Sequence, residues 1–164
     1  MAQQTKRKAA TPASTQYRRI GQIPGREWLT CKSDAAWRED TKSAGFGWVI
    51  SRGNSSNREE ILHQGSDTHR FVRSPLSAEG LAVITALTRA RDLGIKHLVV
   101  ASNSQELIKA IKKESSTKEL HGILHDILKL SLDFEKIEFV FIPREKNRQA
   151  DALAKQALIV IEPV

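Results

Sequence analysis

The sequence has one cysteine, Cys31, so it can form no internal disulfide and no cysteine-built metal cluster. A reducing compartment fits that usage. It contains no run of about 18 apolar residues, the length that a membrane-crossing helix needs, so no membrane contact is expected. Residues 1–26 hold no apolar stretch of signal-peptide length, and an intracellular location, nucleus or cytoplasm, is expected rather than secretion. Acid is also missing before Glu27. That leader carries Lys6, Arg7, Lys8, Arg18, Arg19 and Arg26, which account for six of the seven net positive charges in the 164 residues. The remainder of the chain is nearly neutral.

The composition that is present, 40% hydrophobic and 27% charged, fits one folded domain with a tail. We place a basic, disordered leader over residues 1–27 and the domain over 28–160, and expect a monomer. The leader reads either as a solvated tail or remnant of a longer ancestor, or as an electrostatic arm for phosphates or a nuclear address. A sequence pI of about 9.8 points to an anionic partner, of which nucleic acid is the commonest.

Within the domain the hydrophobic period is two at first. Trp28–Trp37, Ala44–Arg52 and Glu59–Ser66 read as three strands joined by short turns, the second of them Gly53–Asn57. Phe46, Trp48 and Ile50 share one face of the second strand, while Gly45 and Gly47 on the other permit close backbone approach. The period then moves to 3.6. Ser74-Pro75 opens a helix that Gly94 closes, with Val83, Ala86, Leu87 and Ala90 as its apolar stripe. His97–Ala101 is an apolar run expected of a strand buried on both faces. Helices are expected at Asn103–Lys113 and, after a polar break at Glu114–Lys118, at Glu119–Phe134. Ile137–Ile142 is a last strand, and Asn147 to about Ile159 a closing helix. The order βββαβααβα predicts an α/β fold, a mixed sheet with helices on its faces.

Three acids fall where solvation alone does not explain them. Asp34 lies inside the first strand, where β-propensity disfavours aspartate. Glu79 shares a helix face with Val83, Ala86 and Ala90, past the first turn where the helix dipole rewards an acid. Asp151 shares a face with Ala154 and Leu158. Each has a plain alternative: an edge-strand acid paired with Lys32 or Arg52, an early-helix acid, and a first-turn acid after an Asn147 cap. Taken together, inward acids at one end of a sheet favour a divalent-cation site, because a buried carboxylate needs a cation, a partner or a proton.

The segments SDAAW, SAEGLAVITAL, ASNSQELIKAI and FIPREKNRQADALAKQAL, spanning about Trp28 to Leu158, resemble type 1 ribonuclease H. In particular, they resemble ribonuclease-H-like domains of plant retrotransposon origin. The resemblance implies a five-stranded mixed sheet flanked by helices, and a nuclease that cuts the RNA strand of RNA–DNA hybrids with two Mg²⁺ ions, or Mn²⁺ in their place. It makes Asp34 the acid bridging both ions, Glu79 the ligand on the leaving-group side and Asp151 the ligand on the water-activating side. Gln105 matches a glutamine that reads the hybrid in its minor groove. Arg144 and Asn147 are further substrate-binding candidates.

The departures bear on activity. Asn103 stands where the family has a fourth acid, offering a neutral oxygen to a hard cation. It also reads as a helix cap, with Glu106 three residues on. No histidine lies between Phe139 and Asp151, and Arg144 substitutes for it in part at most. Pro75 and Leu76 replace paired asparagines that touch the minor groove. We therefore expect a nucleic-acid-binding domain with weakened hybrid-nuclease activity, the alternative being an inactive binding or protein-interaction module. His121 and His125, four apart on a helix, lack a third zinc ligand and read as surface residues. Lys109, Lys112 and Lys113 read as a solvated face, with phosphate contact as the alternative. Ser-His-Asp catalysis has no motif support.

Overall fold

The period-two segments pair into one sheet. The computed structural model describes residues 27–53, 59–113 and 117–161. In it β1 (Trp28–Arg38) pairs antiparallel with β2 (Ser43–Arg52), and β2 with β3 (Glu60–His69). β4 (His97–Ser102) joins β1 in parallel, and β5 (Lys136–Phe141) joins β4 in parallel. The order is β3-β2-β1-β4-β5, which makes β1 central. Residues 1–26 of the leader, the 53–57 turn apart from Gly53, and most of the 114–118 break lie outside the described residues.

β3 runs three residues beyond the expected end at Ser66. Asp67, Thr68 and His69 are polar and show no apolar alternation, yet they complete the ladder opposite Phe46, Gly45 and Ala44. Backbone pairing sets this end of the strand.

α1 (Pro75–Asp92) begins as expected: the Ser74 hydroxyl accepts from the Ser77 N–H, and Pro75 fills the first turn, where no donor is needed. It buries Val83, Ala86, Leu87 and Ala90 against one sheet face, where Leu29, Cys31, Trp48, Ile50, Leu98 and Val100 meet it, and Ala82 against Ala44 and Phe46. Gly94 stands just past its end at φ 82. α2 (Gln105–Ile111) is shorter than the expected Asn103–Lys113 helix. Its cap is Ser104, whose hydroxyl accepts from the Leu107 N–H, and not Asn103. The 119–134 helix also divides, into a 3-10 turn (Lys118–Leu120) and α3 (His121–Ser131), with residues 132–134 closing through tighter i→i−3 bonds.

α4 (Arg148–Ile161) covers the opposite sheet face. A Cβ on Gly47 would stand 2.3 Å from the Ala150 carbonyl oxygen, and one on Gly45 2.2 Å from that of Ala154. The two glycines allow the α4 backbone to rest directly on β2. Because Gly47 is the cross-strand partner of Asp34, the first turns of α4 are seated beside Asp34.

Candidate active site

Asp34 sits on the central strand and is only 5% exposed. It is not an edge acid paired with a neighbouring base: Lys32 pairs with Glu59, and Arg52 with Glu27 and Glu60. One of its oxygens accepts the Ala35 N–H at 2.9 Å. The charged side chains acting on it are acids. Glu79, from the second turn of α1, and Asp151, from the first turn of α4, both interact with its carboxyl by hydrogen bonding and charge. Three residues 117 positions apart at their extremes are therefore gathered at one end of the sheet.

That crowding sets the electrostatics. Burial pushes the Asp34 carboxyl up to about 6, the Ala35 N–H pulls it back, and the charge of Asp151 raises it again. Glu79 is pushed up to about 9, by burial first and then by the negative charge of Asp34. Arg144 is the cation that works against this, its guanidinium charge favouring the ionised glutamate. Glu79 Oε1 is buried and no donor reaches it. Asp151 holds an i,i+4 ion pair with Lys155 at 3.1 Å.

Around the acids, Asn147 plays a part the sequence did not reveal. It is 1% exposed, and its Nδ2 donates to the Ser33 carbonyl at 2.9 Å and to Asn103 Oδ1 at 2.7 Å. Its backbone carbonyl accepts the Asp151 N–H, so it stands at the head of α4, but its side chain points to β1 and the β4–α2 loop. The expected substrate contact at Asn147 gives way to a buried brace that fixes Asn103. Gln105 opens α2 and is exposed, as is Arg144 in the 3-10 turn Arg144–Lys146. His121 and His125 are exposed on α3, and so are Lys109, Lys112 and Lys113 on and just after α2.

Among the described residues no three acidic, histidine or cysteine side chains form a ready ligand cage. The donor set nevertheless suits a hard cation. Carboxylate oxygens are its preferred ligands, and an orphaned buried oxygen beside a second acid is relieved by positive charge. Asn103 contributes least, because its amide oxygen is neutral and already accepts one hydrogen bond from Asn147.

A mixed sheet in this order, with α1 and α4 on opposite faces and acids from β1, α1 and α4 meeting at one end, defines a ribonuclease-H-like domain. Residues 32–157 match the reverse transcriptase-like family, and the chain belongs to that family. A ribonuclease HI of Halobacterium salinarum is 29% identical over 127 residues, which are 76% of this chain and 61% of that protein. The match thus spans less than two thirds of the relative's length. The crystal structure of RNase H1 from Halobacterium salinarum superposes with a TM-score of 0.73 at 28% identity, covering 80% of this chain and 97% of the other. LC11-RNase H1, isolated from compost and solved in complex with an RNA/DNA hybrid, shares the fold at a TM-score of 0.69. Its identity is 24%, with 81% and 98% of the two chains covered.

Proposed function

We propose that this domain binds RNA–DNA hybrids and hydrolyses their RNA strand with the help of divalent cations, Mg²⁺ foremost and Mn²⁺ in its place, more slowly than a four-acid site would. The observation that carries this reading is the convergence of Asp34, Glu79 and Asp151, two of them with carboxyls raised by burial and mutual charge. Asp34, Glu79 and Asp151 would hold the cations, which when bound supply a polarised water and charge stabilisation at the scissile phosphate. The chain's own part is positional. Asp34 anchors the cluster from the central strand, paired on both sides, and Asp151 is presented by a helix seated on Gly47. Arg144 brings positive charge to the Glu79 side, where a phosphate would lie. Gln105, exposed at the head of α2, is the side chain for the minor groove. The likeness of the four sequence segments supports descent from a plant retroelement, and an intracellular setting, nucleus or cytoplasm, fits it.

A second reading, a domain that binds hybrid without cutting it, is favoured by one observation: Asn103 is neutral and its oxygen is engaged by Asn147. One assay separates the two. Labelled hybrid is incubated with Mg²⁺ or Mn²⁺ and the native chain, Asn103→Asp or Asp34→Asn. Losing a partner behind a metal ligand costs about 10- to 100-fold, so restoring a ligand should give at least the upper end, on the order of 100-fold faster cleavage by Asn103→Asp. Asp34→Asn should not cleave. Equal rates for native and Asn103→Asp would refute the weakening, and binding without cleavage by either would establish the second reading.

A further inference from the structure

Phe71 is the most exposed large apolar side chain among the described residues, at 88%. It lies on the segment that joins β3 to α1, eight residues before Glu79. Its backbone has φ 61, in the left-handed region that suits glycine and is costly for a bulky side chain. A chain that needed only a turn here would gain from glycine. Instead the loop holds an aromatic ring outward against both solvation and backbone preference.

The loop is also fixed. Buried Val72 donates its N–H to the Lys42 carbonyl at 2.7 Å, and its own carbonyl accepts the Trp37 Nε1–H at 2.8 Å. Two residues later Ser74 caps α1. Phe71 is therefore presented by anchored neighbours. Residues 68–78 contain Arg70 and Arg73 and no acid, and both arginines are exposed. Lys42 adds a third positive charge over the Trp37 ring, 5.1 Å from its centre. Of the acids close by, Asp40 is held by Arg38, whereas Glu119 reaches the loop itself by accepting from the Ser74 hydroxyl and Asp67 stands three residues before Arg70.

We infer that Phe71 is a stacking surface for a base or sugar of the nucleic-acid strand held at the acid cluster, with Arg70 and Arg73 contacting the flanking phosphates. This deepens the hybrid reading above and rests on it. In a duplex the base faces are already stacked, so the ring would meet the apolar side of a sugar or an unpaired base at a strand end, with cations framing it for the phosphates. The reach is suitable: three extended residues and five helical ones put Phe71 at most about 18 Å from Glu79. That is about five nucleotide steps along one strand. This anchor stands on the β3–α1 loop, in a chain whose Pro75 and Leu76 carry no side-chain amide.

The test measures binding of a fluorescent RNA–DNA hybrid to the full chain by anisotropy in EDTA, so that cleavage does not intervene. Phe71→Ala is expected to weaken binding about tenfold without changing the slope of log Kd against log salt, because the lost contact carries no charge. Phe71→Trp should bind at least as tightly as the native chain. Phe71→Gly should lose the same affinity with a Tm no lower than native, which separates a binding role from a structural one. Arg73→Ala should reduce the salt slope by about 1. Native affinity in Phe71→Ala and Phe71→Gly would overturn the inference while leaving the hybrid reading intact. A native chain that binds no hybrid would overturn both.

Discussion

A carboxyl that is buried and faces a second acid keeps its proton far above its usual range, and Glu79 does so to about 9. The folded state therefore retains a proton that the unfolded chain has released above pH 4.5 or so. Folding binds the proton, so the stability linked to Glu79 falls as pH rises through the window from about 4.5 to about 9. A glutamine has the shape of the protonated acid and no charge to release. Glu79→Gln should match the native chain near pH 4.5 and exceed it by several kcal/mol, up to about 4 to 5, at pH 8 in ion-free buffer. Urea unfolding at the two pH values measures this, and a mutant-to-native difference that does not change with pH would count against the crowding of Glu79 and Asp34. At this scale the acids are legible in the sequence, since Asp34 breaks β-propensity and Glu79 lies on an apolar helix face. The brace is not. An asparagine before a helix reads as a cap whatever its side chain does, and only the proximity of Ser33 and Asn103 in space gives Asn147 its role. For the same reason the sequence pattern places the α2 cap one residue early, at Asn103 in place of Ser104.

Elements are legible where a period persists. The sequence pattern locates β1, β2, α1 and α4 to within a residue or two, the helices because each has one buried face in a regular repeat and the strands because polar turns bound their β-branched and aromatic runs. Misplaced boundaries fall where no side-chain pattern sets them, at the polar end of β3 and at the two ends of α3. The Gly45/Gly47 pair is visible as a site of close approach, but the approaching partner, α4, lies about a hundred residues on and becomes evident only from packing. That contact has a direct consequence. In Gly47→Ala the new methyl would stand 2.3 Å from the Ala150 oxygen and 2.7 Å from the Ala154 nitrogen, both backbone atoms that cannot swing away. α4 must lift, carrying Asp151 from Asp34. We expect a loss of about 3 kcal/mol or more in stability, and cleavage lower than the folded fraction accounts for. Thermal melts and the hybrid assay on one preparation measure both. Gly53→Ala, where an added Cβ meets nothing within 4 Å, is the control and should stay within about 0.5 kcal/mol of native.

Across the whole molecule, charge and fold are separated along the chain. From Glu27 onward the net charge is +1, whereas the 26 residues before it carry +6 and no acid. A nearly neutral domain attracts a polyanion weakly at long range, so the proposed recognition would rest on local contacts such as Arg144, Arg70 and Arg73. The leader can neutralise phosphates without reading sequence or geometry, and each neutralised phosphate adds about 0.9 to the salt slope of duplex binding. A chain beginning at Glu27 should therefore lose affinity for hybrid and for plain duplex DNA alike at low salt, and its slope should fall by up to about 5. The two chains should converge as salt is raised, because screening removes the leader's contribution first. On the proposed function, the ratio of hybrid to duplex affinity should be unchanged by the truncation, since a charged leader does not read helix geometry. Titrations of both nucleic acids over a salt series decide this: a truncated chain with an unaltered slope would place the charge that grips nucleic acid within the domain and assign the leader no part in binding.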